Sequence, residues 1–116
     1  MAVYKIFPTQ DTTLYSAYPT MNTGLDAILE ASNKLGLDGN PEVARYLVQF
    51  DQNEISDIYS NKLSGSQYDI YLKNFIAEAQ GLNQNTTLEI LPLAQQWNNG
   101  TGYYLDNPKE TDGASW

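Results

Sequence analysis

Turn-forming residues punctuate this chain throughout, and no helical pattern in it is long enough for a parallel-sheet crossover. The punctuation falls at Pro8, Pro19 and Gly24, Gly36 with Asp38-Gly39 and Pro41, Ser64-Gly65-Ser66, Gly81 to Asn85, Pro92, and Asn98 to Gly102. Several of the segments between are rich in β-formers, and none repeats at a fixed period. This combination predicts an all-β protein: an antiparallel β-sandwich, jelly-roll-like and incomplete within these residues, with one short helix. At 116 residues the chain fits one domain, 1–116, which we read as the N-terminal or ordered part of a longer protein because it stops at Trp116 as an apolar segment begins.

Val3 to Phe7 reads as a first strand and Thr12 to Tyr15 as a second piece. Leu25 to Ala31 reads as a strand, with a helix as its competitor. Val43 to Phe50 is the clearest strand, because Ala44, Tyr46, Val48 and Phe50 share one parity and are all apolar. Tyr46, Val48 and Phe50 are therefore expected in the core. Ile55, Ile58, Tyr59 and Leu63 fall near a 3.6-residue period. They predict a short helix, started by Asp51 or Asn53, that packs on the sandwich. Tyr68, Ile70 and Leu72 then line one face of a strand. Leu88 and Ile90 line another within Thr87 to Leu91 and join the expected core.

Six basic residues against fourteen acidic ones give a net charge of -8, which disfavours phosphate backbones and anionic lipid. Cysteine and histidine are absent, so thiolate and imidazole chemistry and soft-ligand metal sites are excluded. Oxygen-ligated calcium is the one cofactor left open. Asp38, Asn40 and Glu42 alternate in one loop, and Asp106, Asn107 and Asp112 gather in another. The same residues also build ordinary Asx turns, and no resident cofactor is expected. A carboxylate pair drawn from Asp11, Glu42, Asp51, Asp106 and Asp112 would need a separation of about 5–9 Å, and no spacing forces one. A non-enzymatic protein is the expectation. Arg45, the single arginine, calls for a partner among Asp11, Asp51 and Glu89.

Trp97, Asn98, Tyr103, Tyr104 and Trp116 form the candidate contact region. Aromatic faces beside amides suit a sugar platform, and nine tyrosines equally suit a protein interface. Pro8 to Tyr15 running into Pro19-Thr20-Met21-Asn22-Thr23-Gly24 resembles the opening of the DNRLRE β-sandwich domains. Arg45 to Asp51 is similar to their most distinctive strand. Leu88 to Leu93 with Trp97, Asn98 and Gly100, and Asp112 to Trp116, resemble their tryptophan motifs. Such carbohydrate-module-like sandwiches occur in extracellular proteins and in structural proteins of tailed bacteriophages. The resemblance implies a bacteriophage virion component, a decoration, neck, tail or fibre-attachment module. Such a component would be assembled in the bacterial cytoplasm through contacts with its own copies or other virion proteins. The alternative it implies is an extracellular carbohydrate-binding or adhesive module, for which a glycan is the partner. No N-terminal basic-then-apolar leader and no membrane-spanning run is read from the sequence.

Overall fold

The computed structural model describes residues 2–79, 81 and 85–116. Among them three strands form one open antiparallel sheet: β1 (Pro8–Tyr15), β2 (Ser32–Leu35) and β3 (Pro41–Phe50), in the order β1-β3-β2. No second sheet faces it among the described residues, so the sandwich expectation is overturned, and with it the fold implied by the DNRLRE resemblance. Val3 to Phe7 and Leu25 to Ala31 carry no ladder. Tyr68 to Leu72 and Thr87 to Leu91 carry none either. Positions 82–84 of the turn expected over 81–85 lie outside the described residues.

β3 is central because its β-branched and aromatic run can be covered on both edges. β1 pairs with it in a register that sets Thr13 opposite Tyr46 and Tyr15 opposite Ala44, with an irregularity between Pro8 and Gln10. Pro8 opens an edge strand, where its missing N–H costs no ladder bond. β2 and β3 form a hairpin. Gly36 N–H donates to the Asn40 carbonyl at 2.8 Å, and Gly39 takes φ +79° inside the turn. The Asp38 carboxylate accepts from the Asn40 backbone and side chain at 3.0 and 2.9 Å. Those bonds hold its carboxyl below the usual carboxylate range, because they favour the ionised form.

The helix lies where the 3.6-residue period places it. α1 (Gln52–Asp57) starts at Asp51, whose side chain accepts from Asn53 N–H at 2.8 Å. It widens into a π-helical turn over Ile58–Lys62, closed by Leu63 N–H on the Ile58 carbonyl at 2.9 Å. Gly65, at φ +75°, ends it. The helix does not pack into a core as expected: none of its residues is buried.

The buried centre is polar. Thr12, Thr13, Asn22 and Thr23 are buried, and the only buried apolar side chains among the described residues are Met21 and Ala44. Tyr46, Val48 and Phe50 share the face of Ala44 and are partly buried, because no second layer covers the far end of that face. Leu88 and Ile90, expected inside, are 62% and 70% exposed, since the segment carrying them joins no sheet.

Candidate functional site

The C-terminal region 97–116 is tied back to β1 and to the loop that follows it. Asn22 sits just past β1, and its fully buried amide uses all four of its hydrogen-bonding positions. Nδ2 donates to the Asn99 and Ala114 carbonyls at 2.7 and 2.8 Å. Oδ1 accepts from Gly24 N–H at 3.1 Å and from Gly102 N–H at 2.9 Å. The backbones around it approach too closely for a side chain. A Cβ on Gly100, already at φ +76°, would lie 2.5 Å from Asn22 Oδ1, and one on Gly113 would lie 2.5 Å from Gly100 Cα. Asp112 closes the loop by accepting from Thr101 N–H and Oγ1 at 3.1 and 3.0 Å. Gln10 of β1 adds a second tie. Its Nε2 donates to the Trp97 carbonyl at 2.8 Å, and its Oε1 accepts from Asn99 N–H at 3.3 Å.

This knot sets where the aromatic residues stand. Trp97 is partly buried and held through its carbonyl, and the Asn98 carbonyl accepts from Ala114 N–H at 2.8 Å. Tyr103 and Tyr104 are exposed. Tyr104 joins Tyr15 and Tyr18, with ring centroids 5.1 Å from Tyr15 and 6.0 Å from Tyr18, the latter pair at right angles. Trp116 instead lies under the Arg45 guanidinium, 5.2 Å from ring centroid to Cζ. Strand alternation turns Arg45 to the sheet face opposite Ala44 and its neighbour Tyr15, so Tyr104 and Trp116 belong to opposite faces. Arg45 pairs with none of Asp11, Asp51 or Glu89 among the described residues. Its partner is an aromatic ring.

The tyrosine cluster borders a shallow groove lined by Tyr15, Tyr18, Glu30, Lys34, Glu42 and Tyr104. Glu30 accepts from the Tyr15 hydroxyl at 3.0 Å and from Ser32 Oγ at 2.7 Å. Burial, then the neighbouring Glu30 charge, pushes the Tyr15 phenol well above its ordinary value. Burial, then Tyr18, raises Tyr104 as well. Asp26 Oδ1 accepts from Tyr104 N–H at 3.2 Å. Lys34 and Glu42 pair across the β2–β3 hairpin at 3.9 Å.

The carboxylates considered for calcium or catalysis are separately engaged. Asp38 and Asn40 bond each other, and Glu42 faces Lys34. Asp106 accepts from Tyr103 and Glu110 N–H at 3.4 and 3.1 Å, and Asp112 is bonded by Thr101. Asp51 caps α1, and Asp11 stands opposite Val48 in the sheet. Among the described residues no group of three or more acidic side chains converges as a metal site, and no helix is long and apolar enough to cross a membrane.

The other large feature is a stretch rather than a pocket. Every described residue from 64 to 96 is exposed, including Ile70, Tyr71, Phe75 and Ile76 at 76–84%. Tyr68 touches the helix edge-on through Tyr59, with ring centroids 6.1 Å apart. Sequence reasoning found the apolar alternation here but assigned it to the inside of the protein. It missed the knot, although Asn22 and Gly24, and Gly100, Gly102 and Gly113, all stood within segments it read as loops. No family model, curated protein or solved structure matches this chain, so the DNRLRE resemblance of its short motifs is supported neither by its fold nor by similarity to known proteins.

Proposed function

We propose that this chain is a non-enzymatic structural protein that works by being built into a larger protein assembly, with 64–96 as its principal contact segment. The observation that carries this reading is surface. The chain exposes 9785 Å², against about 6,300 Å² for a compact monomer of its mass. The excess, roughly 3,500 Å², exceeds the area a standard interface buries from both partners together. Tyr68, Ile70 and Leu72, and again Leu88 and Ile90, are exposed apolar side chains two residues apart, a pattern that gains both hydrogen bonds and burial when another strand pairs with it. A net charge of -8 disfavours nucleic acid and anionic lipid as the covering surface and favours protein. The narrower placement, a bacteriophage virion as decoration, neck, tail or fibre-attachment module, comes mainly from the motif resemblance, which neither the fold nor similarity to known proteins supports. What remains for it is that a cysteine-free chain suits a particle assembled without disulfides.

The test is sedimentation velocity on the chain and on an Ile70→Lys, Ile90→Lys double variant. Both positions are exposed, so the charges leave the sheet intact. The expected result is association of the parent chain that the variant loses, with unchanged circular dichroism. Equal sedimentation of both as a compact monomer would defeat the proposal.

A further inference from the structure

We propose that the groove between the tyrosine cluster and the β2–β3 hairpin is a docking slot for a guanidinium group, the side chain of an arginine on a partner protein. Tyr18 and Tyr104 stand at right angles, 6.0 Å between centroids, and both are at least 40% exposed. A planar cation can lie on the face of one of these exposed rings. A carboxylate waits beside them. Glu30 is partly buried, each of its oxygens holds a single neutral donor, and no cation pairs with it among the described residues. A carboxylate oxygen has room for a second donor, and charged donors bond it most strongly. Lys34, the one cation lining the groove among the described residues, is turned to Glu42 at 3.9 Å.

Charge supports a cationic occupant. Asp26, Glu30 and Glu42 all act on the cluster, where they raise the phenols of Tyr15 or Tyr104. The same field attracts a positive ligand and repels an anionic one. Guanidinium is favoured over ammonium because it is flat, weakly hydrated and can bond a carboxylate while stacking on a ring. The chain uses the same contact internally, where Arg45 lies over Trp116. This slot lies outside segment 64–96, so the proposal stands or falls apart from the assembly reading: the segment can be covered with the slot empty, and the reverse.

The test is a titration of the whole chain, with carbon-13-labelled tyrosine, against acetyl-Ala-Arg-Ala-amide and its citrulline and lysine counterparts, followed by NMR. The expected result is saturable shifts centred on the Tyr18 and Tyr104 rings. Arginine should bind at least ten-fold more tightly than citrulline, and Glu30→Gln should weaken it at least ten-fold. Tyr18→Leu, at an exposed ring, should weaken it similarly while amide dispersion shows the sheet intact. Equal binding of arginine and citrulline, unchanged affinity in either variant, or shifts scattered over the acidic surface would overturn the site. Lysine binding as tightly as arginine would overturn the guanidinium assignment.

Discussion

Asn22 shows how a single residue can organise a fold with little apolar core. Its amide joins the loop after β1 to Asn99, Gly102 and Ala114, and the glycines around it let those backbones close in. Gly100 and Gly39 both have positive φ, but only Gly100 is crowded; nothing lies within 4 Å of a Cβ on Gly39. Gly39→Ala should therefore cost about 1–2 kcal/mol, and Gly100→Ala about 3–5 kcal/mol, since it adds a clash to the same backbone penalty. Urea unfolding of the two variants measures the difference. Tyr15 gives a pH signature. Its phenol is raised by burial and by Glu30, so the folded state favours the neutral form. That contribution is complete below an ordinary phenol value of about 10 and is lost as pH rises through the raised folded value. Tyrosinate absorbance in alkali should show Tyr15 ionising after most of its fellows, and Glu30→Gln should bring it forward. None of this was legible in the sequence. An asparagine and four glycines in three loops carry no signal of which loops meet, because the bonds span 77 to 92 positions.

At the scale of elements, local rules were readable and partnership was not. The Asp-Gly turn, the Asp51 cap and the parity of β3 depend on neighbours within a few residues, and each element stands where those rules put it. Tyr68 to Leu72 and Thr87 to Leu91 have the same alternation as β3 but no ladder, because parity says which side of a strand is apolar, not whether another strand lies beside it. The edge of β1 illustrates the point from the other direction. Thr23 Oγ1 accepts from Thr13 N–H at 3.2 Å and donates to the Thr13 carbonyl at 2.8 Å, so a side chain replaces a neighbouring strand. Thr23→Val keeps the shape and removes both bonds. It should cost about 1–3 kcal/mol in thermal or urea unfolding and free one stretch of edge backbone for intermolecular pairing. A variant as stable as the parent would show that the threonine only fills space.

The whole molecule is a small sheet locked by a polar knot, with the described residues of 64–96, several large apolar side chains among them, left in solvent. Its radius of gyration is 17.0 Å, against about 13 Å for a compact chain of this length. Composition pointed to an assembly or recognition protein, but the sandwich that would have hidden the apolar strands is absent among the described residues. Their exposure is what makes assembly the physical reading. Small-angle scattering across a concentration series tests that claim most directly, because one curve reports both mass and compactness. The expected result is a radius near 17 Å in dilute solution, with scattering mass climbing above 13.0 kDa as concentration rises. A concentration-independent particle of 13.0 kDa with a radius near the compact value of about 13 Å would contradict it, since those apolar side chains would then be buried by their own chain.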